Sequence, residues 1–107
     1  MNLSQIQEMV FKEYVENGYL AEWTEATEKA QKKSDIAEVG LITSEIGEAT
    51  DEIRSKQTNA DELALECADI IIRTLNFMSR KGFDAEHWIL EKDKKNRTRG
   101  KLHGRSV

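Results

Sequence analysis

Two pairs of acids stand out by spacing. Glu45 and Glu48 are three residues apart, as are Glu66 and Asp69, so on helices each pair projects from one face. Two such helices packed antiparallel aim four carboxylates at one point. Oxygen-only donors suit a hard cation, and with no His or Cys among them Mg²⁺ or Mn²⁺ is favoured over zinc. Acids at this spacing are otherwise ordinary on a solvated helix face, but two features speak for a site. Glu62, Glu66, Asp69, Arg73, Asn76 and Arg80 fall on one narrow polar stripe, bordered by Leu65 and Ile72 on one side and Ile70 and Phe77 on the other. A polar stripe between apolar borders fits a cleft or a wet subunit seam better than bulk water. Carboxylates gathered without a cation also repel one another, and a bound divalent ion removes that cost.

The string Ser44-Glu45-Ile46-Gly47-Glu48-Ala49, with seventeen residues between Glu48 and Glu66, leads to Glu66-Cys67-Ala68-Asp69-Ile70-Ile71-Ile72-Arg73. It resembles the ExxE…ExxD signature of the MazG-like all-α nucleoside triphosphate pyrophosphohydrolases. The C-terminal series Lys92, Asn96, Arg99 and His103-Gly104 is similar to the K…N…R…HG pattern that closes many small members. The resemblance covers roughly residues 36 to 104. Two positions depart from the pattern: Ser44 stands where many relatives carry a further Glu, and Asn76 where many carry Asp.

The resemblance implies an all-α, four-helix unit assembling into a dimer or tetramer, with Mg²⁺ held by Glu45, Glu48, Glu66 and Asp69. It implies hydrolysis of nucleoside triphosphates, deoxynucleotides first, to monophosphate and pyrophosphate, a nucleotide-pool cleaning activity. The metal offsets phosphate charge and activates water for attack on the α-phosphorus, with Glu45 or Glu48 as proton acceptor. Candidate substrate-binding residues are Lys92 and Arg99 for the outer phosphates, Asn96 as a hydrogen-bond donor to them, Arg73, Asn76, and Trp23 for stacking on the base. Arg73 has a second reading as a structural ion-pair partner of Glu66 or Asp69, and Trp23 one as a core or interface side chain. Asp84 and His87, three apart, read as a helix cap followed by a surface histidine, and Trp88 as packing.

Helices must position these groups. The chain contains no proline and its apolar spacing is helical in every long segment. A first helix is predicted from a Ser4/Gln7 capping box to Asn17-Gly18, with Ile6, Met9, Val10 and Tyr14 facing inward. Tyr19 to Lys33 reads as a short helix or ordered loop. A second main helix begins at Ser34 or Asp35, with Glu38 completing a capping box, and runs to about Lys56. The third runs from Asn59 to Lys81-Gly82. The fourth follows Asp84 into a basic tail from about residue 92 that Gly100 and Gly104 break up. Met9, Phe77 and Met78 read as core, and Cys67 as a small buried side chain.

At 107 residues the chain has room for one domain, and so small a core makes self-association a natural way to bury more apolar area. No apolar run approaches a membrane span, nor does the N-terminus resemble a secretory signal, so the expectation is a cytoplasmic protein with no membrane partner. The net charge of −4 conceals an asymmetry: seven bases and one acid from Lys92 to Arg105, against nine bases and nineteen acids before them. A non-catalytic bundle binding nucleic acid or a partner through this tail is the alternative function. The acidic body and the lack of aromatics in the tail argue against nucleic acid. A di-iron bundle needs a Glu-x-x-His motif on each of two helices, which neither acidic pair supplies.

Overall fold

Gly18 and Gly82 adopt left-handed φ angles of 86° and 78°, conformations that glycine enters at little cost, and the two turns they make fold the chain back on itself. The computed structural model describes the backbone of residues 1–105 and the side chains of residues 1–98. It contains α1 (Leu3–Glu16), α2 (Tyr19–Glu25), α3 (Glu28–Arg54), α4 (Ala60–Arg80) and α5 (Ala85–Arg105), with no strand among the described residues. Among the described residues no helix is long and apolar enough to cross a membrane.

The capping box of α1 lies two residues earlier than the sequence predicts. Asn2 accepts from the Gln5 backbone N–H and Gln5 reaches back to the Asn2 N–H. Gln7 has no part in the cap. It is buried instead, where it donates to Ser79 Oγ and the Phe83 carbonyl and accepts from the Ala85 N–H. One side chain of α1 thus satisfies the backbone of the α4–α5 turn. Val10, Leu75 and Ala85 form the core, with Leu3, Ile6 and Met78 packed against it. Met9 is exposed rather than inward, because the buried face of α1 is the one that carries Gln7 and Val10.

The stretch from Tyr19 to Lys33 resolves into α2 and the first two turns of α3. Thr27, whose hydroxyl accepts from the Ala30 N–H, caps α3, so Ser34 and Asp35 lie inside the helix and not at its start. Asn59 caps α4 by accepting from the Glu62 N–H, and α4 ends at Lys81-Gly82, both as the sequence predicts. The helix of α5 continues through Gly100 and Gly104, where the sequence predicts a break. Helices α3 and α4 form an antiparallel hairpin, α1 packs along α4, and α5 leans on α1 and the end of α4.

Little apolar surface is covered. Ile36, Ile53 and Leu65 are 73%, 58% and 60% exposed. Cys67 is exposed, not buried, because none of the described residues covers its face of α4. Trp88 is likewise half exposed, touching only the edges of Phe83 and His87 rings among the aromatic groups described. The total accessible surface is 8340 Å², against about 6,100 Å² for a compact monomer of this mass by the usual scaling.

Candidate metal centre and adjoining groove

The α3–α4 hairpin sets the register of the site. At one end Asp35 on α3 meets Arg80 and Lys81; farther along, the Arg73 guanidinium donates through Nε to Glu45 Oε1 at 3.0 Å. Beyond that pair, carboxylate oxygens of Glu45, Glu48 and Glu66 all lie within 4.8 Å of one another. Glu45 and Glu66 are half-buried and Glu48 is exposed. Glu66 Oε2 is buried with no hydrogen-bond partner among the described residues. An orphaned, buried carboxylate oxygen beside two further carboxylates is a donor set that fits a hard divalent cation.

Asp69, the fourth acid, does not join this cluster. It is exposed, one turn along α4, and lines the adjoining groove. The polar stripe of α4 is therefore split. Glu62 and Asp69 are exposed, Asp69 at the groove, while Glu66, Arg73, Asn76 and Arg80 are half-buried or buried, with Arg73 and Arg80 bonded to α3. Arg73 pairs with Glu45 across the hairpin and with neither Glu66 nor Asp69.

The groove has a volume of about 630 Å³ and runs between α1, α2 and the α3–α4 hairpin, within the range of small-molecule sites. Asp69, Arg73 and Asn76 line it toward the carboxylates, and Tyr14, Trp23 and Glu38 line it farther away. Trp23 is half-buried and held on its edge, its Nε1 donating to Asp35 Oδ1 at 3.0 Å. The cationic groups of Arg80 and Lys81 each lie 5.4 Å from its ring centroid, close enough for cation–π attraction.

Arg80 is the most enclosed charge in the site, its side chain only 3% exposed. It donates to Asp35, to the Tyr14 hydroxyl and to Ser34 Oγ. Burial pushes the Asp35 carboxyl up, but the hydrogen bonds and charges of Lys81 and Arg80 outweigh it and hold the group below its ordinary value of 3.8. Asp35 is the residue that sequence reasoning missed. Its spacing to Glu38 imitates a capping box, and nothing local announces partners 45 and 46 residues away.

Lys92 and Asn96 are exposed on α5 and are not among the residues lining the groove. The side chains of Arg99 and His103 lie outside the described residues. Within one chain the structure thus brings together Glu45, Glu48 and Glu66, sets Asp69, Arg73 and Asn76 along the adjoining groove with Trp23 at its farther part, and leaves Lys92 and Asn96 apart. Compared with protein-family models, with curated proteins and with solved structures, the chain matches none.

Proposed function

We propose that the chain is a Mg²⁺-dependent nucleoside triphosphate pyrophosphohydrolase, producing a monophosphate and pyrophosphate. The observation that carries this reading is the convergence of Glu45, Glu48 and Glu66 from two antiparallel helices, at the end of a groove that contains an aromatic side chain. The sequence resemblance supplies the reaction class. Glu45, Glu48 and Glu66, with Asp69 one turn away, are the residues that hold the cation. Bound there, Mg²⁺ or Mn²⁺ supplies positive charge that draws in phosphate oxygens and offsets the charge developing at the α-phosphorus.

The chain's own groups do the rest. Glu48, exposed and without an ion-pair partner among the described residues, accepts the proton of the attacking water as the new P–O bond forms. The bond from the α-phosphorus to its bridging oxygen breaks, and pyrophosphate leaves with that oxygen. Arg73 holds Glu45 in place and keeps positive charge beside the phosphates.

Self-association belongs to the same reading. The excess accessible surface and the uncovered apolar residues of α3 and α4 match the area that a stable subunit interface removes from water. Lys92 and Asn96 then reach the outer phosphates across an interface between copies, because α5 packs on α1 and α4 in its own chain. The test is release of pyrophosphate from triphosphates with and without Mg²⁺. Turnover that needs the metal and is lost in Glu48→Gln and Glu66→Gln supports the reading; metal-independent turnover, or none from a folded protein, overturns it.

A further inference from the structure

Helix α3 carries a regular apolar line on its outer side. Ile36, Val39, Thr43, Ile46, Thr50 and Ile53 follow one another at spacings of three, four, three, four and three, the repeat by which two helices pack along a seam. The line spans about 27 Å of helix. Ile36 and Ile53 stand well out of the chain, Val39 and Ile46 are 48% and 49% exposed, and of the six only Thr50 is half-buried. The threonines do not break the line. Each hydroxyl donates within the helix, Thr43 to the Val39 carbonyl at 3.1 Å and Thr50 to the Ile46 carbonyl at 3.0 Å, so covering them leaves no donor without an acceptor.

Two glycines border the line. Gly40 follows Val39 and Gly47 follows Ile46, both inside α3. Neither has a left-handed φ, and a Cβ at either would meet no described atom within 4 Å. Glycine inside a helix costs about 1 kcal/mol relative to alanine, and no described residue requires it at these two positions. A second helix lying against the seam gives them a use, since the missing side chains let its backbone come close. At about 100° per residue, the middle of the seam lies on the opposite side of α3 from Glu45 and Glu48. A helix seated there leaves the carboxylates open.

We infer that the seam is an interface between two copies of this chain, α3 against α3, antiparallel about a two-fold axis midway between Thr43 and Ile46. Symmetry then sets Ile36 opposite Ile53, Val39 opposite Thr50 and Thr43 opposite Ile46 of the second copy. Every layer so formed contains an isoleucine or a valine. A parallel pair would instead stack Thr43 on Thr43 and Thr50 on Thr50. It would also bring together both copies of Lys29, Lys32 and Lys33, exposed near the amino end of the same helix. The area fits a second copy: the accessible surface of 8340 Å² is roughly 2,000 Å² above that of a compact monomer, about what one subunit gives up in a large permanent interface. The inference rests on the self-association proposed above and gives it a surface and an orientation, distinct from the contact that brings Lys92 to the phosphates. The hydrolase reading stands or falls separately, by Mg²⁺-dependent turnover.

The test is analytical ultracentrifugation of the wild type beside Ile46→Glu, a change at an exposed position that should leave the helical circular dichroism intact. The expected result is that Ile46→Glu weakens assembly about thirty-fold or more and sediments as a species of half the wild-type mass or less. Orientation is read separately, in a Cys67→Ser background. Ile36→Cys and Ile53→Cys chains refolded together and oxidised should link position 36 of one copy to position 53 of the other, as mass spectrometry of the joined peptides reveals. A wild type that is monomeric at tens of micromolar overturns the seam and the self-association together. Assembly that Ile46→Glu leaves unchanged overturns the seam alone. Links only between like positions, 36 to 36 or 53 to 53, overturn the antiparallel pairing.

Discussion

Arg73 Nε donates to Glu45 Oε1 at 3.0 Å across the α3–α4 hairpin, so one of three converging carboxylates already carries a positive partner. Among the described residues the other two do not. In the absence of a divalent ion, Arg73 is the group that offsets repulsion within the cluster. It is also partly exposed, so its pair with Glu45 is screened by water and contributes little to stability alone.

Removing that guanidinium should therefore expose the repulsion that a cation relieves. Arg73→Ala is expected to lower the thermal midpoint in chelator and to show a larger rise on adding Mg²⁺ than the wild type does. Differential scanning fluorimetry with and without the metal reads both quantities. An identical Mg²⁺ response in the two proteins would mean that Arg73 does not sense the cluster's charge.

Asp35 holds the far end of the hairpin. Asp35→Asn leaves the enclosed Arg80 charge without its carboxylate, and breaking such a pair costs about 3 kcal/mol. A urea titration should show the loss. A change below about 0.5 kcal/mol, the range of ordinary surface substitutions, would contradict the role given to Asp35.

The same pair fixes a pH dependence. The Asp35 carboxyl titrates below its ordinary 3.8 in the folded chain, so the unfolded state takes up its proton first as pH falls. The stability it contributes is present in full at neutral pH, declines as pH drops through 3.8, and is gone below the folded value. The difference in unfolding free energy between wild type and Asp35→Asn should accordingly shrink on acidification below about pH 4, measured by denaturant titration at each pH.

Gln7 offers a test of the fold away from the site. Its side chain bonds Ser79, Phe83 and the buried Ala85 N–H. Gln7→Leu keeps the volume but orphans these groups, a cost of about 1–3 kcal/mol that chemical denaturation should detect. Its effect on Mg²⁺ response should be nil.

Much of this architecture is legible in the sequence. Asn17-Gly18, Asn59 and Lys81-Gly82 are local signals, and local signals mark the end of α1 and both ends of α4 correctly. The start of α3 is not legible, because Glu28 to Lys33 is almost entirely polar and gives no amphipathic period, while Asp35 and Glu38 imitate a cap. The three-residue spacing of Glu45 and Glu48 locates one half of the carboxylate cluster, and Glu66 the other. Spacing alone does not tell that Asp69 faces the groove instead, since that depends on the rotation of α4 against α3. Nor does it find Asp35–Arg80, which exists only once the hairpin has closed. Cys67 and Met9 read as buried by their apolar neighbours; both are exposed, and the described residues cover neither face.

The basic residues of α5 supply a test of the shared site. If Lys92 acts on phosphates bound by another copy, Lys92→Ala and Glu48→Gln are each inactive alone, yet a mixed dimer retains one site with every group intact. Refolding the two together should restore about a quarter of wild-type turnover, as two-fold symmetry requires. No recovery, with mixed dimers shown to form, would place Lys92 either in the same chain's site or in none.

The most direct measurement is hydrolysis of a triphosphate in ¹⁸O-labelled water with Mg²⁺ present, followed by mass spectrometry of both products. Attack at the α-phosphorus under the control of Glu45, Glu48 and Glu66 predicts one labelled oxygen in the monophosphate and none in the pyrophosphate, with turnover lost in Glu48→Gln. Label in the pyrophosphate, release of inorganic phosphate instead, or no hydrolysis of any triphosphate by the folded protein would contradict the account.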